Sequence, residues 1–193
     1  MALAPQPETY CFSVADSGDN LIFINKDGDG FVDMGLTGTG AIEAIALNPG
    51  TSRCGTAATP RNITGCLYAT NADDFGFLDY DDSWDGDSND SEFITVTTDV
   101  GTCTLPASQG GGTVAINDVD GLQFDLTRVD ASTGTFVLWA TNRDGDGAAP
   151  DDVLFQIDPA TGLVDTTPTP GFSGGATCVR ISGPGIQVDV DDI

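Results

Sequence analysis

Leu21-Ile-Phe-Ile-Asn-Lys-Asp-Gly-Asp-Gly-Phe-Val-Asp33 and Leu67-Tyr-Ala-Thr-Asn-Ala-Asp-Asp-Phe-Gly-Phe-Leu-Asp79 align without a gap. Both keep the leading Leu, then Asn, Asp, Gly, Phe and a closing Asp. A third copy reads Val137-Leu-Trp-Ala-Thr-Asn142-Arg-Asp144-Gly-Asp146-Gly147 and resumes at Asp151-Asp152-Val-Leu-Phe-Gln-Ile-Asp158. Short apolar runs of alternating character, interrupted by Asp and Gly, are the signature of strands joined by turns. Self-similarity at this spacing means that one supersecondary unit recurs along the chain.

Outward from these segments, each copy has a further alternating run upstream: Tyr10–Val14, Ile42–Leu47 and Val119–Leu126. Downstream runs follow at Phe93–Thr97 and Gly162–Thr166. Asn48-Pro-Gly, Asp130-Ala-Ser-Thr-Gly134 and Asp158-Pro-Ala-Thr-Gly162 supply turn chemistry between them. The unit is therefore strand, turn, strand, Asp/Gly turn, strand and a weaker fourth strand. The expectation is one all-β domain over 1–193, with repeats at 10–41, 42–113 and 114–175. Residues 176–193, containing Thr177–Ser182 and Ile186–Val190, then supply opening strands of a fourth unit, closing the domain or exchanged with another copy.

Composition agrees. Of 193 residues, 30 are Asp or Glu and only 6 Lys or Arg, a formal net charge of −24. All the acids except Glu8, Glu43 and Glu92 are aspartates, and Lys26 is the only lysine. Strong helix formers are thus scarce, while turn formers abound. Hydrophobic content of 39% is enough for a core. So negative a surface repels phosphate backbones and anionic lipids, which argues against nucleic-acid partners. No apolar run approaches the roughly 20 residues that a membrane-spanning helix needs, which argues against membrane insertion. Histidine is absent, which excludes Ser-His-Asp and Cys-His catalysis and His-ligated zinc.

Phrases within the repeats carry a resemblance. Ile42-x-Ala-Ile-Ala-x-Asn48-Pro, Leu67-Tyr-Ala-Thr-Asn71 and Leu154-Phe-Gln-Ile-Asp-Pro-Ala-Thr-Gly162 resemble blades of secreted bacterial β-propellers. The resemblance implies four-stranded antiparallel sheets arranged around an axis. Three blades and a fraction fall short of the usual ring, so terminal strands or a second subunit would complete it. A β-sandwich with similar hairpins is the alternative architecture.

The Asp/Gly turns point to metal chemistry. Asn25, Asp27, Asp29 and Asp33 place side-chain oxygens at the first, third, fifth and ninth positions of a loop, with Gly30 at the sixth. A hard divalent cation takes about six to eight oxygens at roughly 2.3–2.6 Å, and alternating residues in a tight loop converge oxygens on one point. The pattern resembles loops of dockerins, thrombospondin repeats and integrin α-chain propellers. It departs from the EF-hand at the twelfth position, where Leu36 replaces the bidentate Glu. The third copy offers Asn142, Asp144, Asp146 and then Asp151 or Asp152. The second retains Asn71, Asp73 and Asp79, has Phe75 at the fifth position, and is followed by a dense cluster with Asp85, Asp87 and Asn89. Calcium is the expected ion; a plain hairpin role for the Asp-Gly turns is the alternative.

Cys11, Cys54, Cys66, Cys103 and Cys178 contain no Cys-x-x-Cys pair, so disulfides in an oxidising compartment fit better than a metal–thiolate site. Pairing Cys54 with Cys66 and Cys11 with Cys178 leaves Cys103 as a free thiol or an intermolecular link; spacing alone does not decide connectivity. The start, Met1-Ala-Leu-Ala-Pro, lacks the basic and apolar regions of a signal peptide, while Ala2-Leu-Ala4 fits the scar of a removed one. Trp84 and Trp139 read as packing residues. Together these features point to a secreted or cell-surface, calcium-binding structural or adhesive β-repeat protein that self-associates as a homo-oligomer or filament. It is not expected to be an enzyme. The alternatives are a propeller module that binds a glycan or a cell-surface protein, and a glycosidase or lyase using two carboxylates.

Overall fold

The structure, a computed structural model, describes residues 10–15, 20–25, 31–36, 42–48, 66–79, 92–130, 134–143 and 152–181. Regular structure there is β-strand, apart from single 3-10 turns at Ala107–Gln109 and Ser173–Gly175. The all-β expectation holds. β1 (Tyr10–Ala15), β2 (Asn20–Asn25) and β3 (Phe31–Leu36) form a three-stranded sheet. β4 (Ala44–Asn48), β5 (Cys66–Asn71), β6 (Asp74–Asp79) and β7 (Glu92–Thr97) form a four-stranded one. β8 (Thr102–Thr104) pairs with β9 (Thr113–Ala115), and β10 (Val119–Val129), β11 (Phe136–Asn142), β12 (Val153–Ile157) and β13 (Cys178–Arg180) form a second four-stranded sheet. Neighbours in each sheet follow chain order and run antiparallel, and none of the described sheets closes on itself.

The repeat reappears in the strands. β2, β5 and β11 each occupy the second place of their sheet, and each ends on the repeated asparagine, Asn25, Asn71 or Asn142. Strands, not helices, flank the acidic segments after Asn25 and Asn142, which lie outside the described residues apart from Arg143 and Asp152.

Alternation along the middle sheet sends side chains to two separate cores. Ala44, Ala46, Tyr68, Phe75 and Phe77 face the larger core, together with Leu122, Phe124, Leu138, Ala140, Phe155 and Ile157 of the last sheet. Ile45, Leu47, Leu67, Ala69, Leu78 and Phe93 face the other way, where Leu21 of β2 joins them. The middle sheet is therefore apolar on both faces. Tyr68 stacks on Phe75 with centroids 5.5 Å apart and meets Phe124 at 5.7 Å. Phe75 and Phe155 are wholly enclosed, and burial of a side chain of this size contributes about 1.5–3 kcal/mol.

Two expectations are overturned. Residues 162–166 do not form the fourth strand of the last sheet; they make only a bridge from Val164 to Ile157. Asp158 folds the chain back instead: its main-chain oxygen accepts from the Gly162 N–H at 2.8 Å, and its N–H donates to the Leu163 oxygen at 2.9 Å. β13, within the expected run Thr177–Ser182, takes the fourth place of that sheet; Ser182 and Ile186–Val190 lie outside the described residues. The cysteine pairing also differs. Cys103 and Cys178 form a disulfide with Cα atoms 5.7 Å apart, which joins β8 to β13 and rules out a bond from Cys178 to Cys11. Burial explains the choice: both cysteines are fully enclosed in the larger core, where β8 lies alongside β13. Cys54 lies outside the described residues.

Candidate functional site

β5 and β6 pair with Asn71 opposite Asp74, leaving Ala72 and Asp73 as a two-residue turn. Turns of this length that match strand twist need positive φ at the first central residue, a place favouring Gly, Asn or Asp. Here Ala72 holds φ 53°, a conformation that costs an L-residue about 1–2 kcal/mol. Contacts on both sides hold it there. The Ala72 N–H donates to Glu43 Oε2 at 2.6 Å, and its carbonyl accepts from the Val119 N–H at 3.0 Å. The Thr70 hydroxyl donates to the Val119 carbonyl at 2.7 Å, and the Glu43 N–H to the Thr70 carbonyl at 3.0 Å. The turn of one sheet is thereby stitched to the first strand of the next.

From the other side, Asn142 shapes the segment entering β10. Its Oδ1 accepts from the N–H groups of Asn117 at 2.9 Å and Asp118 at 3.0 Å, while the Arg143 N–H donates to the Asp118 carbonyl at 2.9 Å. These bonds bring Asp118 and Asp120 to Glu43, so that a carboxylate oxygen from each of the three lies within 4.8 Å of the others. Glu43 is exposed, Asp118 half-buried and Asp120 buried. Arg143 Nε stands 3.4 Å from Asp120 Oδ2, one cation beside three acids. Burial, foremost, pushes the Glu43 carboxyl above its ordinary value; the charges of Asp118 and Asp120 and a hydrogen bond with Asp118 act the same way, against the Ala72 N–H. Two like charges 4 Å apart repel by about 1 kcal/mol in water and about 4 kcal/mol at the effective dielectric of a protein surface. A divalent cation relieves that repulsion, and three converging carboxylates supply part of the oxygen shell that calcium requires.

The residues singled out in the repeats fall into three groups. Asn25 ends β2 opposite Tyr10, and Asp33 pairs with Ile22 three residues back from the strand end; Asp27 and Asp29 lie outside the described residues. Asn71 and Asp73 lie at the turn that Glu43 grips, but Asp79 pairs with Glu92 at the far end of β6. Five residues of strand, about 17 Å, separate it from Asp74, so Asp79 does not share a site with Asn71 and Asp73. Asn142 is 3% exposed, and its carboxamide oxygen accepts from two backbone amides, so it positions Asp118. Asp152 precedes β12, and its main-chain oxygen accepts from the Ile181 N–H at 3.0 Å. Asp144, Asp146, Asp151, Asp85, Asp87 and Asn89 lie outside the described residues.

The triad was missed because its members come from two repeats and 77 residues of chain, Glu43 to Asp120. A signal existed. Asn117-Asp-Val-Asp-Gly121 has the Asp-x-Asp-Gly character of the other acidic turns, but Val119 onward reads as strand. Comparison with known proteins finds no matching family model, no matching curated protein and no matching solved structure.

Proposed function

We propose that this chain is a calcium-binding structural β-repeat protein of the cell exterior, in which the ion locks adjacent repeats together and the stiffened array associates with further copies of itself. The observation that carries this reading is the convergence of Glu43, Asp118 and Asp120 on one point at the joint between two sheets. An ion there ties the Ala72 turn to the entry of β10, and so acts on the relation between repeats. The acids of the third turn, Asp144 and Asp146, follow Arg143 directly in the chain and are the next candidate ligands. The Cys103–Cys178 disulfide supports an oxidising compartment. A propeller-like succession of blades belongs to this proposal. Its support is the middle sheet, which packs against the larger core on one face and against Leu21 of β2 on the other.

Thermal unfolding in calcium and in chelator, at constant ionic strength, tests the reading. At a free calcium concentration a hundredfold above Kd, binding adds about 2.7 kcal/mol. For a chain of this length that raises Tm by about 5–10 °C. The Glu43→Gln/Asp118→Asn variant loses this increment, yet in chelator it melts above the wild type because the repulsion has gone. Equal Tm values for the wild type in calcium and chelator, with no calcium retained in equilibrium dialysis, refute the proposal.

A further inference from the structure

We propose that Gln109 is an edge plug: its side-chain amide occupies, on the outer side of β13, the ladder position that a strand from a second copy of this chain would otherwise take. The Ile181 N–H donates to the Asp152 carbonyl at 3.0 Å, so the main chain of Ile181 faces β12. Alternation then directs the N–H and carbonyl of Arg180 away from β12. Gln109 takes both of them. Its Oε1 accepts from the Arg180 N–H at 2.7 Å, and its Nε2 donates to the Arg180 carbonyl at 3.1 Å. This is the pair of bonds that a neighbouring strand makes, supplied by a side chain 71 residues away in sequence.

The plug is delivered by a fastened flap. The β8–β9 segment runs beside β13: the Thr177 N–H donates to the Thr104 carbonyl at 2.9 Å, the Thr104 N–H donates to the Thr177 hydroxyl at 2.8 Å, and the disulfide joins Cys103 to Cys178. Leu105 and Val114 anchor the flap in the larger core. Gln109 closes the 3-10 turn of the flap and is itself exposed. Open strand edges invite further strands, and proteins block them with a covering loop or a bulge. The occupant kept out is a second copy, because two β13 edges related by a twofold axis are self-complementary. This edge is distinct from the joint at which Glu43, Asp118 and Asp120 meet.

Full-length Gln109→Ala, Gln109→Glu and the double variant Gln109→Ala/Arg180→Pro provide the test. Loss of two hydrogen bonds raises exchange of the Arg180 amide by about tenfold or more in Gln109→Ala, and sedimentation then shows a larger, concentration-dependent species than the wild type forms. Gln109→Glu keeps the acceptor and loses the donor, and lies between the two. Proline at 180 removes the outward N–H and returns the Gln109→Ala species to the wild-type size. Unchanged Arg180 exchange in both single variants, wild-type size for Gln109→Ala, or a larger species that survives Arg180→Pro each overturns the proposal.

Discussion

Gly76 sits where the β6–β7 register slips, between Phe75 and Gly76. A Cβ there would run into the main-chain oxygen of Ile94 and stand 2.8 Å from the ring of Phe93. Because the first obstacle is backbone, Gly76→Ala forces β7 outward, and the expected loss is about 1–3 kcal/mol, read by urea unfolding. A variant as stable as the wild type would show that β7 yields without cost. A second residue effect concerns Asp165, buried beside Asp130. Burial is the main cause that raises its carboxyl above the ordinary value, and the hydrogen bond and charge of Asp130 add to it, against the Thr167 donors. A raised native pKa means that the folded state holds its proton more tightly than the unfolded chain. Stability from this group is complete below the ordinary carboxylate value, about 4, and is lost as pH rises through the raised one. Asp165→Asn therefore flattens the fall in stability over that window, measured by unfolding at a series of pH values; an unaltered slope would remove Asp165 from the explanation. Nothing in the residue types announced this pair, since Asp130 reads as a turn residue and Asp165 as part of the alternating run Gly162–Thr166.

Between the described elements, the strongest tie outside the ladders is the Cys103–Cys178 disulfide. It closes a loop of 75 residues. By the loop-entropy argument such a crosslink contributes about 4–5 kcal/mol, a figure that depends on the unfolded-state model. Replacing both cysteines, Cys103→Ser/Cys178→Ser, is expected to lower stability by about 2–5 kcal/mol and to loosen the β8–β9 flap first, as judged by hydrogen exchange at Thr104 and Arg180. A cost below about 1 kcal/mol would mean that core packing alone holds the flap. Element identity was largely legible: alternation located β1, β2, β4, β5, β7, β10, β11 and β12, and the asparagine at the end of three second strands marked equivalent places. The β8–β9 hairpin was not, because Thr102–Thr104 and Thr113–Ala115 are too short to show a period. The fourth strand of the last sheet was misassigned for a related reason. Gly162–Thr166 alternates like a strand, yet its turn bonds to Asp158 and the bonds that Asp165 Oδ1 accepts from Thr167 divert it.

Across the whole molecule, charge is the largest unbalanced quantity. A formal charge of −24 on 193 residues opposes both compaction and the approach of a second copy. Simple salt therefore stabilises by screening, and only a gain from calcium beyond that of sodium at equal ionic strength belongs to a site. The stitching around Ala72 joins two sheets by hydrogen bonds just where three carboxylates meet, so the proposed ion would act on how the repeats are held to one another.

Residue order by itself determined the class of fold, the recurrence of antiparallel units and the abundance of acidic turns, because hydrophobic period and turn chemistry are local properties. Which acids meet, which cysteines join and which strand finishes the last sheet were decided by tertiary structure. Each depends on contacts between segments far apart in the chain: Glu43 with Asp118 and Asp120, Cys103 with Cys178, Gln109 with Arg180. Such contacts form only where two sheets pack on a shared core, and no local period records which partners that packing will bring together.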